Sequence, residues 1–160
     1  MSFTYVIPDL HGRDDLLVRA LSDISAHSRG ERGVIVAIGD YVDKGPHSRQ
    51  VVERLISGIA GWQLVTLKGN HDAMMVAGLR DPAKLAFWIE KGGDTALASY
   101  EPSDVPETHI AWLDQRPLMH VDAHRVYVHA GVDPELSLEQ QSETVSLRRG
   151  PPCWINPIGA

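Results

Sequence analysis

The stretch 34–44, Val-Ile-Val-Ala-Ile-Gly-Asp-Tyr-Val-Asp-Lys, constrains the fold more than any other part of this 160-residue chain. Its five apolar residues, mostly β-branched, predict a buried strand that ends at Gly39. Asp40 and Asp43 follow, three residues apart, on a turn closed by Gly45-Pro46. Two carboxylates so close repel each other unless a cation or a histidine lies between them. The stretch therefore predicts a polar site at the carboxyl edge of a sheet, although Gly-Asp is also ordinary turn chemistry.

Two further predicted strands end in similar polar residues. A strand over residues 3–7 stops at Pro8 and is followed by Asp9 and His11. A strand over residues 62–67 leads into a predicted loop that carries Lys68, Asn70 and His71. Apolar periodicity between the strands predicts helices, so the order is strand, helix, strand, helix, strand. This order predicts an α/β fold in which the polar residues meet at one end of a parallel sheet.

The remaining periodicity predicts how the site is enclosed. One helix begins at Asp14, and a second is capped by Ser48 and ended by Gly61. Residues 73–113 are predicted to form a helical insertion that covers the site and breaks at Gly92-Gly93. Segments 118–121 and 125–129 predict an antiparallel hairpin that ends in His129. Trp88 is assigned to the core, and His27, His47, His109, His120 and His124 are assigned to surface or turn positions.

Composition excludes several classes of protein. The net charge of −6 argues against binding to long nucleic acids, which requires clustered basic residues. The single cysteine, Cys153, cannot form an internal disulfide, which favours a reducing, cytoplasmic setting. No apolar run approaches the roughly 20 residues that span a bilayer, so no membrane partner is expected. We expect one domain over residues 1–160, with residues 146–160 as an atypical tail.

The polar residues at the strand ends are suited to binding two divalent cations. Carboxylate, amide oxygen and imidazole together favour manganese, with iron or zinc as alternatives, over calcium. We expect Asp40 to bridge the two ions, as in sites where a metal-bound hydroxide attacks phosphorus. The first ion would take Asp9, His11 and Asp40, and the second would take Asp40, Asn70 and His129. Taken alone, each of these residues favours a capping or turn role, or for His129 a core position; the ordered set favours the metal site.

The polar residues left over have predicted roles around that centre. His71 is the candidate general acid for the leaving group, and Asp43 is the carboxylate that would orient it. Arg13, Lys44 and Lys68 are the candidate phosphate-binding residues, since each could neutralise phosphate oxygens.

Four ordered motifs give the chain a family resemblance. Asp-x-His at 9–11, Gly-Asp-x-x-Asp at 39–43, Gly-Asn-His-Asp at 69–72 and Val-His-Ala-Gly at 128–131 resemble the calcineurin-like metallophosphoesterase superfamily. The segments 7–13, 39–46 and 91–100 are similar, more narrowly, to bacterial serine/threonine phosphoprotein phosphatases and to the related symmetrical diadenosine-tetraphosphate hydrolases. The resemblance implies a β-sandwich flanked by helices, in α-β-β-α layers, with a dinuclear centre that hydrolyses phosphomonoesters. It implies the same metal, acid and orienting roles as those assigned above.

The chain departs from that pattern in three places. Lys44 stands where the family usually has arginine, and Asp72 replaces the glutamate usual in the phosphoprotein phosphatases. The sequence ends at Ala160, before the Gly-His that supplies the last ligand of the second metal in the family. A C-terminally shortened sandwich predicts three protein ligands for that metal, and an uncovered sheet that could form a homodimer.

Three functions remain open at this stage. The first is a metal-dependent phosphatase acting on a phosphorylated protein or a small phosphoester, most like a serine/threonine protein phosphatase. The second is a symmetrical diadenosine-tetraphosphate hydrolase, which shares the same motifs. The third, of another class, is a truncated and catalytically weak domain that binds a metal or phosphate, or serves in protein interaction.

Overall fold

Strands and helices alternate through the first half of the chain, and helices then give way to a hairpin. The computed structural model describes residues 3–147, apart from the side chain of Thr144. The strands are β1 (Phe3–Ile7), β2 (Gly33–Ala37), β3 (Gln63–Thr66), β4 (Met119–Val121) and β5 (Val126–Val128). The α-helices are α1 (Asp14–Ser28), α2 (Ser48–Ser57), α3 (Asn70–Arg80), α4 (Pro82–Trp88), α5 (Asp94–Tyr100), α6 (Glu107–Asp114) and α7 (Glu143–Leu147). A π-helical turn, Ile89–Gly93, joins α4 to α5, and Leu138–Gln140 forms a 3-10 turn.

The first three strands form a parallel sheet in the order β1-β2-β3. Val36 in the central strand is in register with Val6 on one side and Val65 on the other. Helices α1 and α2 are the crossovers that parallel pairing requires. The carboxyl ends of all three strands therefore lie at one edge of the sheet, as the sequence predicts.

The two faces of this sheet are buried by different partners. Ile7, Ile35 and Ala37 belong to a core cluster with apolar side chains from the helices, including Leu17 of α1 and Val51 of α2. Side chains on the opposite face pack against the second sheet, in which β4 and β5 pair antiparallel. Val36 and Leu67 there form a buried cluster with Tyr127 of β5.

This arrangement confirms the predicted α/β fold with two packed sheets and flanking helices. The predicted hairpin is also confirmed, and its turn is held by Asp122, whose Oδ1 accepts the backbone N–H groups of His124 and Arg125. Among residues 3–147, no helix is long and apolar enough to cross a membrane. The atypical tail lies outside the described residues from position 148 onward.

Three local predictions are wrong. Helix α2 ends at Ser57, with Gly58 rather than Gly61 at its C-cap. The Ser48 hydroxyl does not cap α2 but accepts the backbone N–H of Asp43 at 3.1 Å. His109 is buried, with its Nδ1 3.0 Å from the Tyr100 hydroxyl, because α6 carries it into the helical core.

The predicted break at Gly92-Gly93 is confirmed, and the two positions require glycine for different reasons. Gly92 has a φ of +104°, a conformation that L side chains rarely adopt. Gly93 has an ordinary φ of −67°, so glycine is required there because a side chain would not fit. The carbonyl of Gly92 accepts the backbone N–H of Lys44 at 3.3 Å, which ties this turn to the loop after β2.

Candidate metal centre

The loops that follow β1, β2 and β3 contact one another through their backbones. The carbonyl of Asp40 accepts the N–H groups of Leu10 and His11 at 3.0 and 2.8 Å. A Cβ atom at Gly39 would lie 2.5 Å from the nitrogen of Gly69, and one at Gly69 would lie 2.1 Å from the nitrogen of Asp40. Only glycine fits at such a separation, so both positions allow the second and third loops to meet.

The predicted metal ligands converge on Asp40, and we call these five residues the Asp40 cluster: Asp9, His11, Asp40, Asn70 and His129. Asp40 Oδ2 lies 3.6 Å from His11 Nε2, and Asp40 Oδ1 lies 3.5 Å from His129 Nε2. Asp9 lies between the same two rings, 3.9 Å from His11 and 3.8 Å from His129. The Asp40 carboxylate is buried and uses a different oxygen toward each histidine, which suits the bridging role predicted for it.

Two groups of candidate ligand atoms share Asp40. His11, Asp40 and His71 form one group, and Asp9, Asp40 and His129 form the other, with the atoms of each group within 4.8 Å of one another. The sequence-based assignment placed Asp9 with His11 and left His71 outside both groups. The structure instead places Asp9 against both histidines and brings the His71 ring 4.7 Å from the His11 ring, edge to face.

Backbone carbonyls fix which nitrogen of two histidines is free. His11 Nδ1 lies 3.0 Å from the carbonyl of Val42, and His129 Nδ1 lies 2.9 Å from the carbonyl of Ile38. A carbonyl can only accept, so each Nδ1 carries a proton, and in the neutral ring Nε2 presents its lone pair to the cluster. Metal-binding histidines are held by such outer hydrogen bonds.

Asn70 and His71 lie in the first turn of α3, not in the loop that the sequence predicts. His71 Nδ1 is 2.8 Å from Asp43 Oδ2, and both side chains are buried. Because a carboxylate accepts, Nδ1 donates this bond, and Nε2 is the ring nitrogen left for another partner. The structure thus brings together the predicted acid and its orienting carboxylate.

The three candidate phosphate-binding cations have different surroundings. Lys44 Nζ lies 2.9 Å from His11 Nε2, at the Asp40 cluster. Arg13 is exposed and forms a two-bond ion pair with Asp15 at 2.8 and 2.6 Å, which raises the pKa of Arg13 and lowers that of Asp15 to about 2. Lys68 is directed toward Asp114, 3.4 Å away, so Lys44 is the cation that the structure places at the cluster.

The chain matches a known protein family over most of its length. The sequence profile described as calcineurin-like phosphoesterase matches residues 4–152. The chain belongs to the calcineurin-like phosphoesterase family. Membership confirms the resemblance carried by the four motifs, and the family implies divalent metal ions.

The relatives in this family are similar over most of this chain but over only part of their own length. A symmetrical bis(5'-nucleosyl)-tetraphosphatase of Pseudomonas syringae pv. syringae is 33% identical over 138 residues, which are 85% of this chain and 44% of the relative. The same enzyme of Cellvibrio japonicus is 33% identical over 157 residues, covering 92% of this chain and 53% of the relative. The chain thus spans about half the length of these curated relatives.

Solved structures support the fold of the family. The crystal structure of a proposed diadenosine tetraphosphatase matches 91% of this chain and 63% of that chain, with a TM-score of 0.58 and 23% identity. A mutant form of a cold-active protein tyrosine phosphatase matches 87% of this chain and 48% of that chain, with a TM-score of 0.52 and 23% identity. At this identity the likeness concerns the fold.

The donor set fits the divalent cations that the family implies. His129 Nε2 and Asn70 Oδ1 face each other at 3.0 Å, and both are acceptors once His129 Nδ1 holds the ring proton. Asp9 and Asp40 add carboxylates to the same space. Acceptors that converge without a shared proton are stabilised by a cation, and mixed oxygen and imidazole donors suit first-row transition metals.

Two residues at the site were not recognised in the sequence. Asp72 is fully buried, and its carboxylate accepts the backbone N–H groups of Asp40, Tyr41 and Gly69 at 2.8, 2.9 and 2.9 Å. Burial and the neighbouring Asp40 carboxylate raise the pKa of Asp72 to about 7, and the three N–H donors oppose that rise. The position of Asp72 in the Gly-Asn-His-Asp motif was the available signal, but the motif does not show which backbone groups its carboxylate binds.

Trp88 is the other unrecognised residue. Its indole Nε1 donates to both oxygens of Asp43, at 2.9 and 3.0 Å. A buried tryptophan was assigned to core packing, yet a buried indole N–H needs an acceptor, and that need was the available signal.

Four site residues have left-handed backbone conformations. The φ values are +41° for His11, +54° for Asp40, +71° for Asp43 and +64° for Lys44. Non-glycine residues rarely adopt positive φ, and such residues cluster at functional sites.

Proposed function

We propose that this chain is a metal-dependent phosphoesterase whose substrate is a dinucleoside polyphosphate of the diadenosine tetraphosphate type. The observation that carries the chemistry is the buried His71–Asp43 pair beside the Asp40 cluster. It supports a reaction in which metal ligands and a proton donor act on one phosphate group. The names of the relatives support the choice of substrate.

Each part of the site has a separate task in this proposal. The Asp40 cluster holds two divalent cations, for which we propose manganese, and these supply Lewis-acid activation of water and of the phosphate when bound. His71 gives its Nε2 proton to the oxygen that leaves phosphorus, and Asp43 holds the opposite ring nitrogen. Lys44 binds a phosphate oxygen from its position beside His11.

Serine/threonine protein phosphatase activity stays a prediction. Neither of the two relatives described above is named as such an enzyme, so we place it second to the tetraphosphatase activity. The acidic net charge of −6 supports a small phosphoester over a long nucleic acid as the partner. A cytoplasmic location and a homodimer formed through an uncovered sheet also stay proposals.

The test is a product analysis on the purified full chain. Diadenosine tetraphosphate, a phosphoserine peptide and p-nitrophenyl phosphate are each incubated with the chain, with manganese or with a chelator, and products are separated by chromatography. We expect manganese-dependent conversion of diadenosine tetraphosphate to ADP alone. His71→Asn should reduce the rate by roughly 10² or more, the contribution of a general acid. His124→Asn, in the exposed hairpin turn, is the matched control and should retain the rate.

Other product patterns contradict the proposal in different ways. AMP with ATP would contradict symmetrical cleavage. Hydrolysis of the phosphopeptide without hydrolysis of diadenosine tetraphosphate would favour the protein phosphatase. Turnover that persists with chelator, or no turnover of any substrate with manganese, would contradict a metal-dependent phosphoesterase.

A further inference from the structure

The carboxylate of Asp43 is held from two sides. It is fully buried, His71 Nδ1 bonds to Oδ2, and the Trp88 indole N–H is shared between both oxygens. The Asp43 backbone is fixed as well, because its N–H donates to the Ser48 hydroxyl. With the indole on one side and the imidazole on the other, the carboxylate cannot rotate without losing a hydrogen bond in a buried environment, which is costly.

The position of Trp88 is set by its place in α4 and by two glycines. Its side chain is fully buried at the last position of α4, immediately before the turn Ile89–Gly93. A Cβ atom at Gly93 would lie 2.5 Å from indole Cε2, and one at Gly78 would lie 3.0 Å from Cε3. The two glycines thus leave the space in which the indole lies.

The indole is also chemically suited to this contact. The indole N–H is a donor only, so it can bond to the Asp43 carboxylate. It cannot accept the Nδ1 proton of His71, which therefore stays with Asp43 as its acceptor. Asp43 then presents a fixed oxygen to His71 Nδ1, which sets the plane of the imidazole and the direction of Nε2. The His71 imidazole also packs edge to face against the His11 ring, with an angle of 86° between the two planes.

We infer that Trp88 is a positioning residue for the general acid, and that the helical insertion α4–α5 acts on the reaction through it. This inference rests on the proposed function, because it assigns to His71 the transfer of its Nε2 proton to the leaving oxygen as the phosphorus–oxygen bond breaks. The indole N–H of Trp88 bonds to Asp43, which is not one of the residues of the Asp40 cluster. It acts through Asp43 on the orientation of His71, a geometric contribution that can reach about 10²-fold when lost.

The kinetic test compares leaving groups. Trp88→Phe removes the N–H donor, and manganese-loaded chains are assayed with p-nitrophenyl phosphate and with phenyl phosphate. The nitrophenolate departs with little need of a proton, whereas phenolate depends on the acid. We expect kcat for phenyl phosphate to fall at least tenfold more than kcat for p-nitrophenyl phosphate, with KM unchanged. In a His71→Asn background, Trp88→Phe should cause no further loss, because both changes remove one function.

A second replacement separates the hydrogen bond from packing. Single-site incorporation of β-(3-benzothienyl)alanine at position 88 keeps the two-ring shape but puts sulfur in place of the N–H. It should reproduce the kinetic effect of Trp88→Phe. Trp62 lies immediately before β3 in an aromatic contact with Tyr5, so Trp62→Phe is the control and should leave both kcat values unchanged.

A spectroscopic readout tests the inference without turnover. The Nδ1–H proton of His71 should give a downfield NMR signal in the unsubstituted chain and in Trp62→Phe, and it should broaden or disappear in both Trp88 replacements. An inactive unsubstituted chain would contradict the proposed function, while the NMR comparison would still decide whether Trp88 orders His71. Equal losses on both substrates, additive losses with His71→Asn, or an unchanged Nδ1–H signal would each overturn the inference.

Discussion

The carboxylate of Asp72 fixes the backbone of Asp40, with 2.8 Å between Oδ2 and the Asp40 nitrogen. Asp72→Asn would turn an amide N–H₂ toward one or more backbone N–H donors, so buried donors would lose their acceptor. We expect the free energy of unfolding to fall by about 1–3 kcal/mol, the cost of unsatisfied buried groups. Urea denaturation measures it. The exposed Asp104→Asn is the control, and an equal effect of the two substitutions would contradict the role of Asp72.

Metal content should separate the shared ligand from an unshared one. Asp40 belongs to both groups of candidate ligand atoms, so Asp40→Asn should remove both manganese ions. Asn70→Ala removes a donor beside His129 and should mainly affect one ion. Mass spectrometry of manganese after equilibration and desalting measures the stoichiometry, and circular dichroism verifies the fold. Unchanged manganese in Asp40→Asn would exclude the bridging role.

Lys44 should contribute to substrate binding. Lys44→Ala removes a cation beside His11, and we expect KM to rise about tenfold or more, as for a lost charge-assisted hydrogen bond. Lys44→Arg should recover most of the affinity, since its planar group can bond to two phosphate oxygens. Steady-state kinetics are compared with Lys84→Ala, an exposed residue of α4. A fall in kcat at constant KM would show that Lys44 does not bind the substrate.

A methyl group at position 93 should displace the indole of Trp88. Gly93→Ala places its Cβ 2.5 Å from the ring, and overpacking of this kind costs about 1–3 kcal/mol. Both the free energy of unfolding, measured with urea, and kcat should fall. Gly30→Ala is informative beside it, because position 30 has a φ of +86° and nothing within 4 Å of the added Cβ. That substitution should lower stability alone; a loss of kcat in it would weaken the comparison, and normal kcat in Gly93→Ala would contradict the steric link.

His109 should make stability depend on pH. Burial lowers the pKa of His109. The charge of Arg49 lowers this pKa further, and the charge of Glu53 opposes the change. The unfolded chain then binds more protons than the folded chain at pH values near and below the ordinary histidine pKa of about 6.5. Stability should therefore rise with pH through this range and be lost on acidification. Urea midpoints at several pH values should show a shallower slope for His109→Gln, with exposed His124→Gln as control; identical slopes for all three chains would refute it.

The sequence predicts the parallel sheet and the Asp40 cluster because both depend on local patterns. Each candidate ligand on the first three loops follows a short apolar strand, and parallel strands place their carboxyl ends together whatever the details of packing. Asp9, Asp40 and Asn70 are therefore predictable without coordinates. His129 is predicted from a different pattern, because it directly follows the second strand of the antiparallel hairpin.

What the sequence does not predict depends on contacts between distant segments. Trp88 and Asp43 are 45 residues apart in sequence. No periodicity distinguishes a tryptophan that donates a hydrogen bond from one that only packs. Lys68 has the same charge as Lys44, but its pairing with Asp114 follows from where α6 lies beside α3. The burial of His109 likewise depends on the packing of α6 beside α5 and not on its neighbours in sequence.

The left-handed residues of the site have a consequence for protein engineering. Within residues 3–147, five non-glycine residues have positive φ, and four of them lie at the site: His11, Asp40, Asp43 and Lys44. The fifth is Arg29. Such conformations cost about 1–3 kcal/mol each, and glycine would adopt them without that cost. Glycine at Asp40 or Asp43 would lose the hydrogen bonds of a buried carboxylate, so it would not raise stability. At the exposed Lys44, a screen that selects only for a higher Tm would favour glycine. A gain in thermal stability there would therefore be a warning that activity has been lost.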